Sequence, residues 1–147
     1  MFLKRREEQA GVLAKVPLFS GLSKKQLVAV ARTTDQVSAQ AGAVLCRQGH
    51  LGREFVLIVE GEARVERDGK KIGLMGAGEF FGEMSLLDGK PRTATVVTET
   101  PCEVLVVDGR AFTPLLETVP ALQRQILVNL CTRLRDCYET PRQRASS

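Results

Sequence analysis

Short apolar runs separated by glycine turns occupy the middle of the chain, over about residues 34–108. The turns include Asp68-Gly69 and Asp88-Gly89. Because glycine accepts a positive φ, Asp-Gly between apolar runs favours a tight hairpin. Runs this short, with a turn roughly every 8–12 residues, predict an antiparallel barrel, sandwich or jelly roll. The predicted strands cover residues 43–46, 54–60, 63–67, 71–75, 93–98 and 103–107.

The residues before this region follow the period of a helix. Ser23-Lys-Lys-Gln26 is a capping box, in which the Ser23 hydroxyl serves the amide three residues later and the Gln26 side chain reaches back. Pro17 interrupts the pattern upstream of the box. Residues 7–15 are therefore predicted to form a separate short helix.

The period of a helix returns after residue 108. A first helix is predicted over residues 110–117, capped by Asp108 and limited in its regularity by Pro114. A longer helix is predicted to begin near Pro120, since proline suits an opening position. Its apolar face contains Leu122, Ile126, Leu127, Leu130, Leu134 and Cys137. The order of elements predicts a mainly β fold with flanking helices.

Composition and charge exclude several classes of function. The chain has 147 residues, the size of one domain, and its net charge of +4 comes from basic residues scattered among acidic ones. Nucleic-acid binding calls for clustered basic charge, so no direct contact with nucleic acid is expected. One histidine and four cysteines without a CxxC pair predict reduced thiols and no metal site. No apolar segment suits a signal peptide or a membrane span, so we expect a cytoplasmic location.

One segment of the strand region, residues 80–96, does not follow the strand pattern. Gly82 to Leu87 has the character of a single helical turn, with Glu83 near its start, where the helix dipole favours negative charge. Amides at a helix start bind anions, and the planar fork of Arg92 suits phosphate oxygens. Gly82, the short helix and Arg92 could therefore converge on one phosphate. The alternative is an internal ion pair between Glu83 and Arg92 that pins a loop.

This segment resembles the phosphate-binding cassette of the cyclic nucleotide-binding domain family. That cassette has the pattern Phe-Gly-Glu, a small or apolar run, a short loop, and then Pro-Arg-(Ser/Thr/Ala)-Ala. The chain has FGEMSLL from Phe81 to Leu87 and PRTA from Pro91 to Ala94. We call residues 80–96 the cassette. The resemblance extends over almost the whole chain, from residues 16–23 to the helices at 110–137.

The resemblance implies roles for the matching positions. Glu83 would accept from the ribose 2′-hydroxyl group, and Arg92 would pair with the equatorial phosphate oxygen. The amides of Gly82, Thr93 and Ala94 would complete the phosphate cradle, and Val65, Ile72 and Gly73 would line the base pocket. The predicted ligand-binding residues are Phe81, Gly82, Glu83, Met84, Ser85, Arg92, Thr93, Ala94, Val65, Ile72 and Gly73.

The resemblance also implies an architecture. The family's fold is an eight-stranded antiparallel β-roll, a double-stranded β-helix of the jelly-roll type, with N-terminal helices and two C-terminal helices. Residues 1–140 would form a single cyclic nucleotide-binding domain, followed by a polar tail at 141–147. Within the domain, the N-terminal helical part would cover 7–32, the β-roll with the cassette 34–108, and the C-terminal helices 109–138.

The implied function is regulatory binding of a cyclic nucleotide without turnover. A cyclic phosphodiester carries one negative charge, which one arginine and helix-start amides can balance. Hydrolysis would need a metal or a positioned base, for which the sequence offers no cluster of ligands. We therefore expect a stand-alone sensor, not an enzyme, that needs no cofactor and prefers cAMP. The choice of cGMP stays open, because a hydroxyl residue such as Thr93 can favour guanine in the family.

Ligand binding is expected to change how the helix at residues 119–137 packs on the roll, and so to control a protein effector or self-association through that helix. In the family an edge of this helix acts as a lid, for which Tyr138 and Arg135 are candidates. Two alternatives stay open. In the first, the chain is the regulatory module of a separate or truncated effector, such as a transcription factor, channel or enzyme. In the second, it is a non-binding pseudo-receptor that serves as an interaction scaffold.

Overall fold

The computed structural model describes residues 10–139. The helices are α1 (residues 10–14), α2 (Lys24–Arg32), α3 (Glu83–Asp88), α4 (Gly109–Thr118) and α5 (Pro120–Glu139), with a 3-10 turn at Pro17–Phe19. The strands are β1 (Thr34–Ala39), β2 (Val44–Cys46), β3 (Glu54–Glu60), β4 (Ala63–Arg67), β5 (Lys70–Met75), β6 (Phe80–Phe81), β7 (Thr95–Thr98) and β8 (Cys102–Asp108). Helices flank a run of strands, which confirms the predicted mainly β class. Residues 7–9 of the first predicted helix and the predicted tail lie outside the described residues.

The strands form two four-stranded antiparallel sheets, which confirms the predicted eight-stranded β-roll. Their strand orders are β1-β8-β3-β6 and β2-β7-β4-β5. One hydrophobic core lies between the sheets, because its buried side chains come from both of them. These side chains are Val56, Ile58, Ala63, Met75, Phe81, Val96, Cys102 and Val104.

Strand β3 is buried on both faces. Successive side chains of a strand point to opposite sides, and here each of the two sets packs in a different core. Val56 and Ile58 pack between the two sheets, whereas Phe55 and Leu57 pack on the side of the helices. The second core also contains Leu13, Val30, Phe80, Leu105, Phe112, Leu116, Leu122 and Ile126. Helices α4 and α5 are thereby fixed against the sheet that contains β6, the strand with which the cassette begins.

The structure confirms two predicted N-terminal helix caps, at Ser23 and Asp108. The hydroxyl oxygen of Ser23 accepts from the Gln26 amide at 3.2 Å, and Oε1 of Gln26 accepts from the Ser23 amide at 2.9 Å. The carboxylate of Asp108 accepts from the Arg110 amide at 2.8 Å and so caps α4. Helix α4 continues through Pro114, which lies inside it.

The pattern of apolar runs misses two strands. Strand β1 lies at the edge of its sheet, and its one large apolar side chain, Val37, is 43% exposed. Strand β6 has only two residues, Phe80 and Phe81, which pair with Leu57 and Val56 of β3. Both strands are defined by their pairing partners, since neither has enough alternation of its own to be recognised.

The prediction of a single apolar stripe on α5 is wrong. Leu122 and Ile126 are buried against the core, and Leu130 is partly buried beside them. Leu127 and Leu134 are instead exposed, at 55% and 56%. These two residues lie roughly a quarter-turn round the helix from Ile126, because each residue advances the helix by about 100°. The buried face of α5 is therefore narrower than the sequence suggests.

Candidate functional site

The chain turns sharply at Gly82, between β6 and α3. The φ angle of Gly82 is 105°, in the left-handed region. A Cβ atom there would lie 2.6 Å from Nη1 of Arg92 and would overlap the carbonyl oxygen of Glu54. Both the backbone conformation and the close approach of these two groups therefore require glycine.

The side chain of Arg92 is held against the start of β3. It is 9% exposed, and its Nη2 donates a 2.5 Å hydrogen bond to the carbonyl oxygen of Glu54. Its Cζ lies 6.0 Å from the centre of the Phe81 ring. The Nε atom is buried and has no hydrogen-bond partner. Because an unpaired buried donor is costly, this guanidinium group is suited to an anionic acceptor.

Glu83, the first residue of α3, is fully buried and meets Arg133 of α5. Its Oε1 accepts from Nη1 of Arg133 at 2.6 Å, and Nη2 of Arg133 donates to the carbonyl oxygen of Phe80 at 2.6 Å. Within the described residues the ion pair of Glu83 is with Arg133, so the alternative of a Glu83–Arg92 ion pair is wrong. The Oε2 atom of Glu83 is buried without a partner. Burial raises the pKa of Glu83 more than the charges of Arg133 and Arg92 lower it.

Glu83 and Arg92 both lie in the wall of a cavity of about 690 Å³. The cassette forms one side of this cavity, and strands of the sheet that contains β4 form the other. Its volume is in the range of small-molecule sites in proteins. The residues of the predicted set that line it are Phe81, Gly82, Glu83, Met84, Ser85, Arg92, Thr93, Ala94 and Val65.

Two residues of the predicted set, Ile72 and Gly73, are not among those that line the cavity. Alternate residues of a strand face opposite sides, and on β5 it is Met75 that lines the cavity. Ile72 lies on the opposite face and is 52% exposed. Gly73 pairs with Val65 of β4 and shares the face of Met75, but it has no side chain to extend into the cavity.

Several lining residues were not identified from the sequence. They are Cys46, Arg67, Met75, Glu79, Asp88, Lys90, Pro91, Val96 and Arg133. A signal for Arg133 is present, because it follows Ile126 by seven residues and Leu130 by three, on the buried face of α5. The predicted lid residues Arg135 and Tyr138 do not line the cavity, and Tyr138 is 73% exposed.

The thiol of Cys46 lies in the wall close to the cassette. Its Sγ is 3.6 Å from the carbonyl oxygen of Ala94. Burial raises the pKa of Cys46, and the positive charge of Arg92 opposes that effect only in part. The thiol is therefore protonated and poorly nucleophilic near neutral pH.

Residues 10–139 contain neither a cluster of metal ligands nor a membrane-spanning helix. No group of three or more histidine, cysteine, aspartate or glutamate residues could hold a metal ion in this part of the chain. None of its helices has the length and apolar character needed to cross a bilayer.

Comparison with known protein families matches residues 36–119 to the cyclic nucleotide-binding domain. The chain belongs to this family. The match includes the whole cassette and the strands on the other side of the cavity. This chain is thus a cyclic nucleotide-binding regulatory domain, and the family's fold is regulatory rather than catalytic.

The relatives of this domain include a potassium channel and a protein kinase regulatory subunit. A cyclic nucleotide-gated potassium channel from Rhizobium etli is 37% identical over 115 residues, which cover 78% of this chain and 32% of the channel. A cAMP-dependent protein kinase regulatory subunit from Schizosaccharomyces pombe is 34% identical over 122 residues, which cover 82% of this chain and 30% of that subunit. This chain therefore spans about a third of the length of these two relatives.

A solved structure, cAMP-bound PfPKA-R, has the same fold. It superposes with a TM-score of 0.83 and 26% sequence identity, and the match covers 96% of this chain and 49% of that one. The β-roll with its flanking helices is therefore shared along almost the entire length of this domain.

Proposed function

We propose that the cavity binds a cyclic nucleotide, with cAMP preferred, and that binding changes the packing of α5. The observation that carries the proposal is that two residues of one cavity wall each have a buried polar atom without a partner. Oε2 of Glu83 is a buried acceptor without a donor, and Nε of Arg92 is a buried donor without an acceptor. A ribose hydroxyl group would donate to the carboxylate, and phosphate oxygens would accept from the guanidinium group.

The charge of a cyclic phosphodiester suits this wall. Arg133 is already compensated by Glu83, which leaves the charge of Arg92 for the phosphate. The amides of Gly82, Thr93 and Ala94 would add uncharged donors from the cassette. A phosphodiester has a single negative charge, so one arginine with these amides is sufficient, and no cofactor is required.

One observation supports a purine base in the cavity, and another supports cAMP. The strand side of the cavity contains the apolar side chains of Val65, Met75 and Val96, against which a purine ring would pack. The kinase regulatory subunit of S. pombe is named as cAMP-dependent, and the PfPKA-R structure has cAMP bound. Guanine is the competing base, since the exposed side chain of Thr93 lies in the cavity wall and could serve its extra polar groups.

Isothermal titration calorimetry with cAMP, cGMP and 5′-AMP tests the proposal. We expect both cyclic nucleotides to bind, cAMP more tightly, and 5′-AMP to bind weakly because of its additional charge. Arg92→Ala should weaken cAMP binding by about 1.5–3 kcal/mol, or roughly 10–150-fold, as expected for loss of a charge-assisted hydrogen bond. Arg110→Ala is the matched control, because this arginine is exposed and does not line the cavity. A wild-type chain that binds neither cyclic nucleotide would favour the scaffold hypothesis instead.

Coupling to α5 would pass through Arg133. This side chain connects the helix to Glu83 and to the carbonyl oxygen of Phe80, on either side of the turn at Gly82 within the cassette. A nucleotide that engages Glu83 and draws the cassette inward would therefore alter what Arg133 can contact. The ligand shifts the helix only if it binds the two arrangements with different affinity.

Amide hydrogen exchange tests this coupling. Saturating cAMP should change the exchange rates of residues 119–137 in the wild-type chain. Arg133→Ala should bind cAMP but show a smaller change there, whereas Arg135→Ala, at an exposed position of the same helix, should behave like wild type. An unchanged exchange pattern in the wild-type helix would refute the coupling.

The stand-alone sensor and the regulatory module of a longer effector are separated by the size of the native protein. The second hypothesis is favoured by one observation, that this chain spans about a third of the length of the channel and of the kinase regulatory subunit. An immunoblot of the source cells with an antibody raised against the domain would show a band near 16.1 kDa for a stand-alone protein. A markedly larger band would support the module.

A further inference from the structure

The loop at residues 49–52 wraps around Arg92. The amide of Gly49 donates to the carbonyl oxygen of Arg92 at 2.9 Å, and the amide of Arg92 donates to the carbonyl oxygen of His50 at 2.8 Å. Leu51 forms an isolated antiparallel bridge with Pro91. The backbone on either side of Arg92 is thus fixed before its side chain reaches the cavity.

Gly52, at the end of this loop, lies directly against the Arg92 guanidinium group. A Cβ atom on Gly52 would overlap Nε and Cζ of Arg92 and would lie 2.6 Å from Nη2. The φ angle of Gly52 is not positive, so the backbone conformation makes no demand for glycine at this position. What requires glycine is the space that the guanidinium group occupies.

The guanidinium group is therefore confined on several sides. The missing side chain of Gly52 leaves room for Nε and Cζ, and the missing side chain of Gly82 leaves room for Nη1. The carbonyl oxygen of Glu54 accepts from Nη2. We call this arrangement of Gly52, Gly82 and Glu54 the guanidinium slot.

We propose that Gly52 is a positioning residue for ligand binding, which admits Arg92 to the guanidinium slot and so fixes it in the cavity wall before the phosphate arrives. This inference rests on the proposed function, in which Arg92 binds the phosphate. A side chain at residue 52 would push the guanidinium group out of the slot. The hydrogen bond to the carbonyl oxygen of Glu54 and the orientation of the guanidinium N–H groups would then be lost, although the charge of Arg92 would remain.

A double-mutant cycle between Gly52→Ala and Arg92→Ala tests the proposal by calorimetry with cAMP. In the wild-type background, Gly52→Ala should weaken binding about tenfold or more, comparable to loss of one charge-assisted hydrogen bond. In the Arg92→Ala background the added methyl group has free space, so Gly52→Ala should change the affinity less than about twofold. Equal losses in both backgrounds, or no loss in the first, would overturn the proposal.

Gly76→Ala is the matched control. Gly76 also has no positive φ, and a Cβ atom there would have nothing within 4 Å. We expect this variant to bind cAMP like the wild-type chain. A loss similar to that of Gly52→Ala would mean that adding a methyl group to any loop glycine disturbs the site, and the slot would not explain the effect.

Urea unfolding without ligand gives a second, independent readout of the same cycle. Gly52→Ala should lower the unfolding midpoint of the wild-type chain but not that of Arg92→Ala, because the clash needs the guanidinium group. Equal lowering in both backgrounds would contradict the slot. This readout separates two failures: a chain that binds no cyclic nucleotide refutes the proposed function, whereas only the absence of coupling refutes the slot.

Discussion

Arg133 of α5 forms an ion pair of 2.6 Å with Glu83, which precedes it by 50 residues in the chain. The two partners differ in environment, since the side chain of Arg133 is 40% exposed and that of Glu83 is 1% exposed. A cation that solvent can reach therefore compensates a carboxylate that solvent cannot reach. The two members of the pair are consequently not equivalent to mutation.

Removal of Arg133 should destabilise the domain. Arg133→Ala leaves a buried carboxylate with neither oxygen paired to a side chain, and we expect a loss of about 1–3 kcal/mol in the free energy of unfolding. Urea denaturation followed by circular dichroism measures this loss. Arg135→Ala, two residues away at an exposed position, should stay within about 0.5 kcal/mol of wild type. Equal effects of the two substitutions would show that the ion pair contributes nothing specific.

The raised pKa of Glu83 predicts a pH dependence of stability. The folded chain holds the Glu83 proton more tightly than the unfolded chain does, so stability falls as the pH rises from the ordinary glutamate value, 4.5, through the raised value. Glu83→Gln cannot lose a proton and lacks this contribution. The melting temperature of wild type relative to Glu83→Gln should therefore decrease as the pH is raised from about 4 to 8. A difference that increases over this range would contradict the direction of the shift.

Thr98 should be a structural requirement of the sheet that faces the cavity. It is fully buried, its Oγ1 accepts from the Ala43 amide at 2.8 Å, and the same hydroxyl group donates to the carbonyl oxygen of Gln40 at 2.6 Å. Thr98→Val keeps the shape but leaves both backbone groups without this partner, so we expect a loss of about 1–3 kcal/mol in urea unfolding. Thr132→Val, an exposed helix position, is the control and should change stability by about 0.5 kcal/mol or less.

Cys46 should react slowly with iodoacetamide, and more slowly still when nucleotide is bound. Its raised pKa lowers the thiolate fraction at neutral pH, so its rate should increase steeply between about pH 7 and 9. Saturating cAMP should protect it, because Cys46 lines the cavity. Cys131, which is exposed, should react faster and without protection. Peptide mass spectrometry resolves the two sites, and failure of cAMP to protect Cys46 would place the ligand elsewhere.

Short-range chemistry accounts for the predictions that the structure confirms. The capping box at Ser23 and the cap at Asp108 are complete within four residues, so the local sequence is sufficient to recognise them. The helical turn after Gly82 is likewise found where the sequence places it. Strands with several apolar side chains, such as β3, are recognised for the same reason.

Position on a strand or helix face was less predictable. The register of β4 and β5 shifts between Val65 and Glu66, which moves the partners of every following residue. A shift of this kind leaves no mark in the spacing of apolar residues, so nothing in the sequence pattern puts Ile72 on the exposed face. The sequence likewise does not separate the buried from the exposed residues of α5, because Leu127 and Leu134 are as apolar as the buried residues beside them.

By itself, the sequence determined the class of fold, the location of the cassette and the two groups, Glu83 and Arg92, that lie in one wall of the cavity. Only the tertiary structure decided that Glu83 pairs with Arg133 rather than Arg92, and that Gly52 leaves room for the guanidinium group. The reason is physical. Turns, caps and apolar periods depend on neighbours along the chain, whereas the partner of a buried charge depends on which distant side chains the packed helices and sheets bring within hydrogen-bond distance.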